Sequence, residues 1–153
     1  MTNDISETAK AVVRRNTIEV QGGGNWELFD ELFADDFHDY TPQPRGKPDK
    51  AGVLELYRRL RQAFPDFTPE IHWQKADGDV VTTYKTYHGT HLGNFLGVPG
   101  TGRKVKPGHA REPFHGLLTT FAFDERSVSC FCARYFSNPS RDCFPTSSSP
   151  FGA

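Results

Sequence analysis

The residues best suited to moving a proton are Asp39, in the run DDFHDYTP from Asp35 to Pro42, and a later group, His109, Arg111, Glu112 and His115, in the run HAREPFH. A carboxylate set between Phe37 and Tyr40 loses hydration, and its pKa rises toward values useful to an acid or base near neutral pH. The same Asp ahead of Thr41-Pro42 would also serve as an ordinary turn residue, accepting hydrogen bonds from the backbone. In the later group a His–Glu pair would orient an imidazole and raise its basicity, while Arg111, or Arg134 further on, could hold an enolate or carboxylate. An exposed loop with ordinary polar residues reads the same way. Such groups could take up or give a proton and steady a developing negative charge.

His91 stands in the glycine-rich bend Gly89-Thr90-His91-Leu92-Gly93. Its imidazole could act as a base, although a His in such a bend more readily ties its own turn. Tyr40 beside Asp39, Phe95 in the same loop as His91, and Tyr87, His88 and His109 are candidates for touching a substrate. Strand alternation puts Lys85 with Tyr87 on one face and Tyr84 with His88 on the other, and both faces mix polar with aromatic groups, so alternation does not choose the inner one. No metal site is expected. His88 and His91 would point to opposite faces of a strand, and Pro113 bars the helix that could align His109, Glu112 and His115. Cys130 and Cys132 read as small core residues of an apolar strand.

The elements that must position these groups fall in two halves. Asp4 with Glu7 resembles a capping box, and Ala9, Val13 and Val20 then recur at near-helical spacing until Gly22-Gly23-Gly24. Asn25 can cap a second short helix with Leu28, Phe29, Leu32 and Phe33 as its buried stripe. Asp35 to Pro42 is short and extended. Pro48 and Asp49 open a third helix, with Val53, Tyr57, Leu60 and Phe64 on one face and Pro65 closing it. Arg58, Arg59 and Arg61 lie around that stripe as a solvated helix face should. From Phe67 the pattern turns to period two, with Ile71 and Trp73 expected on one face and Asp77-Gly78 turning the chain into a strand at Val80. Strands follow near Arg103, at Leu117 to Phe123 and at Val128 to Phe136. Helices segregated from a mostly antiparallel sheet mean an α+β fold.

At 153 residues the chain is one domain, expected over 1–137, with a Ser- and Pro-rich tail over 138–153. A net charge of -1 gives no broad cationic field to draw in nucleic acid or anionic lipid. Phe alone appears 13 times, and rigid rings line small-molecule pockets as readily as they fill cores. Three cysteines clustered late are not a disulfide framework, and no stretch approaches a membrane span, so a cytosolic protein is expected.

The segment from Asp79 to Val105, with Gly89-Thr90-His91, Gly93, Phe95, Gly97, Pro99 and Thr101-Gly102-Arg103, resembles the G-T-H-x-G-x-F-x-G-x-P-x-T-G-R signature of the SnoaL-like polyketide cyclases. Ala34-Asp35-Asp36-Phe37 with Asp39 and Thr41-Pro42 resembles that family's A-D-D-F-x-D-H-T-P, and Ala63-Phe64-Pro65-Asp66 its A-F-P-D. Together these cover roughly residues 10 to 105 in unbroken order. The resemblance implies a cone-shaped, curved, mixed or antiparallel sheet of the ketosteroid-isomerase-like kind, wrapped around N-terminal helices, chiefly the third. It also implies a blind apolar cavity and a homodimer formed through the sheet. It implies a cofactor-free cyclase of secondary metabolism, closing a ring in a polyketide or terpenoid-like intermediate by acid/base catalysis, with Asp39 on the pocket wall. Downstream the sequence departs from the pattern. The segment after Arg103 is longer, and the place of the family's acidic residue on the last strand falls on Ala133 or Arg134. That departure leaves room for lactone or pyrone formation beside aldol closure, with Glu112 and His115 resupplying the acid/base pair. An isomerase or hydrolase using the same pocket, or a non-catalytic binding or dimerisation module, are the rival readings.

Overall fold

Asp77 and Val80 face each other across the turn at Gly78 and Asp79, and Gly78 takes the left-handed φ of 58° that such a hairpin turn requires. The computed structural model describes residues 2–42, 45–105, 117–124 and 127–135. In chain order the elements are α1 (Thr2–Arg15), a wider π-helical continuation (Asn16–Gly22), α2 (Trp26–Leu32), β1 (Phe33–Asp39), α3 (Lys50–Ala63), β2 (Thr68–Asp77), β3 (Val80–Thr90), β4 (Lys104–Val105), β5 (Leu117–Asp124) and β6 (Ser127–Tyr135). The sheet runs β1-β6-β5-β3-β2, with β1 parallel to β6 and the other pairs antiparallel. β4 pairs with the far end of β3 at Gly89 and Thr90. Helices first and strands later thus form the α+β arrangement expected.

The helices cover one face of this sheet. Val13, Val20, Phe29, Tyr57, Val81 and Phe121 meet in a single core, each buried apolar side chain contributing about 1.5–3 kcal/mol relative to exposure. The start of α2 is set as the sequence implies, by Asn25, whose side chain accepts from Leu28 N at 3.1 Å. Asp49 caps α3 by accepting from Gly52 N at 2.8 Å. Arg58 and Arg59 are exposed, and Arg61 reaches back to the carbonyls of Gln21 and Gly22, tying α3 to the π-helical segment.

Three local expectations are corrected. Helix α1 starts at Thr2, so Asp4 sits inside the first turn, where its charge complements the helix dipole, instead of capping it. Helix α3 is no longer than α1, at 14 residues each, and both pack on the sheet, α1 against β2 and β3 and α3 against β1. Ile71 and Trp73 do not share a face. The register shifts between them, Ile71 lying opposite Lys85 and Trp73 opposite Tyr84, because one extra residue in β2 inverts the alternation. Trp73 is thereby turned outward, 42% exposed and stacked on Tyr84 at 5.7 Å.

Candidate active site

The face of β3 turned to the helices carries Val81, Thr83, Lys85 and Tyr87, and Lys85 is 0% exposed. Its Nζ donates to Thr17 Oγ1 and Gln21 Oε1, both at 3.4 Å, and lies 5.4 Å from the centre of the Tyr87 ring. Thr17 can accept because its own hydroxyl proton goes to Val13 O at 2.9 Å. Gln21 uses both ends of its amide. Its Oε1 also accepts from the Tyr87 hydroxyl at 2.8 Å, and its Nε2 donates to the Tyr57 hydroxyl at 2.7 Å. Asn16 Nδ2 donates to the same Tyr57 oxygen at 3.4 Å, leaving the phenolic proton of Tyr57 to be given elsewhere. Three elements therefore meet in one polar network inside the core: the π-helical segment, α3 and β3.

The electrostatics of this network follow from burial. Lys85 forms no ion pair among the described residues, and desolvation alone pulls its pKa from 10.5 down to about 7. Burial pushes the Tyr57 phenol up to about 12; hydrogen bonds from Asn16 and Gln21 oppose the rise and the charge of Asp39 adds to it. Tyr57 therefore stays protonated near neutral pH and acts as a donor. Two further polar atoms at this interior, Asn16 Oδ1 and Thr119 Oγ1, have no hydrogen-bond partner among the described residues. Thr119 lies across from Thr83 on the buried row of the sheet.

A second construction stands at the end of α3. Asp66 accepts from Thr90 N at 2.5 Å and from Thr90 Oγ1 at 2.7 Å, and these bonds hold its carboxyl below the usual range. Leu92 N and Gly93 N donate to Ala63 O at 2.8 and 3.0 Å, satisfying a carbonyl that the helix end leaves open. His91 stacks on Phe64 at 5.0 Å and Phe95 meets the same ring edge-on at 5.7 Å. A Cβ on Gly93 would come within 2.9 Å of Gln62 O, so only glycine lets the loop lie this close. The runs Ala63-Phe64-Pro65-Asp66 and Gly89 to Phe95 are thus two halves of one clasp.

The residues singled out from sequence divide accordingly. Asp39 points inward, 3% exposed, with its pKa raised by burial and partly offset by bonds from Thr41 N (2.8 Å) and Thr41 Oγ1 (3.4 Å). Both readings of this residue, a desolvated carboxyl and a turn-forming Asp, describe it at once. Tyr40 does not help to desolvate it, because alternation turns Tyr40 outward, 49% exposed, against His38 at 4.7 Å. Tyr87 belongs to the interior network. His88 is on the outer face, paired with Glu70 Oε2 at 2.8 Å. His91 and Phe95 are in the clasp, and His91 Nδ1 lies 3.4 Å from Thr101 Oγ1. In the pairing of β5 with β6, Arg134 lies opposite Leu118 and Ala133 opposite Thr119. His109, Arg111, Glu112 and His115 lie outside the described residues, as does the 138–153 tail. Among the described residues no three His, Cys, Asp or Glu gather as a metal ion would need, and no helix is long and apolar enough to cross a membrane.

Sequence reasoning missed Asn16, Thr17, Gln21, Tyr57 and Lys85 as a group. One signal was available: Asn16, Thr17 and Gln21 continue the stripe that Ala9, Val13 and Val20 mark as buried, and polar residues on a buried stripe need partners.

The pattern of the SnoaL-like polyketide cyclases matches residues 11–109. Among solved structures, a SnoaL-like polyketide cyclase from Jannaschia sp. CCS1 is similar at 19% identity and a TM-score of 0.73, covering 86% of this chain and 88% of that one. A polyketide cyclase from Acidithiobacillus ferrooxidans is 29% identical, with a TM-score of 0.67 over 85% and 89% of the two chains. IdmH, a polyketide cyclase from Streptomyces antibioticus, is 23% identical, with a TM-score of 0.68 over 84% and 91%. No curated protein matches the chain. The paired motifs of the clasp, the mixed sheet under three helices, and a match spanning most of the chain lead to one conclusion: this protein belongs to the SnoaL-like polyketide cyclase family.

Proposed function

We propose that the protein is a cofactor-free cyclase that closes a ring in a polyketide-type intermediate by acid/base catalysis. The observation that supports this reading is the buried network of Asn16, Thr17, Gln21, Tyr57, Lys85 and Tyr87. A lysine with no counter-charge among the described residues costs the core stability, and local rules are broken in this way chiefly where a site requires it. Asp39, whose carboxyl pKa burial raises, takes the proton from a carbon flanked by carbonyls and returns it later. Tyr57 gives its free phenolic proton as a hydrogen bond to the enolate oxygen. Gln21 holds both tyrosines in place before substrate arrives, so the donor needs no reorganisation during the reaction.

The test is ring closure of a synthetic poly-β-ketone thioester, followed by product chromatography. The wild type is expected to accelerate closure over buffer, and Tyr57→Phe to lower kcat by about 10²–10³, the usual worth of one oxyanion donor. Asp39→Asn should fall in kcat while ligand binding persists. Absence of any acceleration by wild type, with ligand still bound, would leave a binding module instead. His109, Arg111, Glu112 and His115 are proposed to complete the site, and His115→Ala in the same assay tests that. We also read the outer face of β2 and β3, with Trp73 exposed on Tyr84, as the surface through which two copies pair; light scattering after size exclusion decides it.

A further inference from the structure

We propose that Lys85 is a covalent catalyst, its Nζ condensing with a ketone of the substrate to form an imine that carries the ring-closing carbon as an enamine. This deepens the proposed function by naming the substrate class, a β-dicarbonyl with a free ketone, and rests on that reading for the identity of the step that follows.

The geometry surrounds the Lys85 amine with uncharged groups among the described residues. Lys85 lies on the face of β3 turned to the helices, wholly buried, and its Nζ is met by two neutral oxygens at the long distance of 3.4 Å. An ammonium held for structural reasons is normally paired with a carboxylate, and a buried lysine without one keeps its lone pair available. Among the described residues the groups facing it are Thr17, Gln21 and Tyr87, all uncharged, and the next in the network is Tyr57, whose proton has no acceptor in the network. The fall of the Lys85 pKa toward neutrality agrees with this surrounding.

The step balances without any oxidant or reductant. Lys85 Nζ adds to the ketone carbon, forming a C–N bond while the carbonyl π pair moves to oxygen, which is protonated. The nitrogen loses its extra proton, the hydroxyl leaves as water, and the C=N bond forms as an iminium. Loss of an α-proton to a base gives the enamine. Its carbon then attacks a second carbonyl of the same substrate, forming the new C–C bond, and that oxygen is protonated. Water returns to the iminium carbon, regenerating ketone and amine, so the net change is ring closure alone. Tyr57 is placed to give protons to departing or developing oxygens, being joined to Lys85 through the amide of Gln21.

Borohydride trapping tests this without requiring ring closure. Full-length protein at pH 7 is incubated with acetylacetone or an acetoacetyl thioester, reduced with sodium borohydride and digested, and the peptide containing Lys85 is weighed by mass spectrometry. The expected result is one reduced adduct on Lys85 in wild type. Lys85→Met and Lys85→Arg, shown folded by circular dichroism, should give none at that position. No adduct at Lys85 in wild type, or adducts on the exposed lysines only, overturns the proposal. Ring closure surviving in Lys85→Met also overturns it, while leaving acid/base catalysis by Asp39 standing. An adduct at Lys85 without ring closure supports the imine and counts against the cyclase assignment, so the two readings fail separately.

Discussion

Replacing Lys85 by Met should make the protein more stable, and by an amount that depends on pH. In the folded chain Lys85 releases its proton near pH 7, and in the unfolded chain near 10.5. Between those values the unfolded chain binds more protons, so wild-type stability climbs as pH rises; below 7 the whole penalty is present, and above 10.5 it has gone. The difference corresponds to about 5 kcal/mol, at roughly 1.4 kcal/mol for each pKa unit. Full burial means solvent screens little of it. Lys85→Met, of similar length and without charge, is therefore expected to exceed wild type by about 5 kcal/mol at pH 6 and by about 2 kcal/mol at pH 9, less the two long hydrogen bonds it forfeits. Tyr57 keeps its proton up to about 12 and does not blur the comparison. Urea titrations followed by Trp26 and Trp73 fluorescence at several pH values measure both chains, and groups common to them cancel in the difference. Parallel pH profiles for the two chains, or a mutant less stable than wild type at pH 6, would refute the reasoning.

Three more outcomes follow from the same contacts. Tyr57→Phe strips the acceptor from Gln21 Nε2 and Asn16 Nδ2 and should cost about 1–3 kcal/mol of stability, read in the same titrations. Gly93→Ala drives a methyl against Gln62 O and should cost about 1–3 kcal/mol while lifting the loop from the end of α3, visible as faster amide exchange at Leu92 and residue 93. Asp66→Ala should speed exchange of the Thr90 amide with little change elsewhere. Because the folded pKa of Asp66 is lowered, the wild-type clasp is expected at full strength above the ordinary carboxylate pKa of 3.8 and to weaken as pH falls through the lower folded value.

Much of the scaffold could be read before any coordinates. Helical stripes, the caps Asn25 and Asn-like Asp49, and the turn at Gly78 are local signals, since each depends on residues within a turn or two of one another. The family signature was legible for the same reason, although the partner it packs on was not. As a string, Gly89 to Phe95 reads as a bend whose histidine ties its own turn; in space most of it is also a latch on Phe64, Ala63 and Asp66.

What the sequence by itself determined was the order of elements, the α+β class and the membership that its motifs announce. Only the tertiary structure decided which face of β3 is inside. Alternation gives two equivalent answers for Lys85 with Tyr87 against Tyr84 with His88, and the choice is made by helices contributed from far away, at Thr17, Gln21 and Tyr57. The bulge beside Trp73 is of the same kind, a single residue whose effect on every later side chain exists only once β2 is paired with β3. Burial is a property of the assembled chain, and it is burial that draws the Lys85 pKa from 10.5 down to about 7.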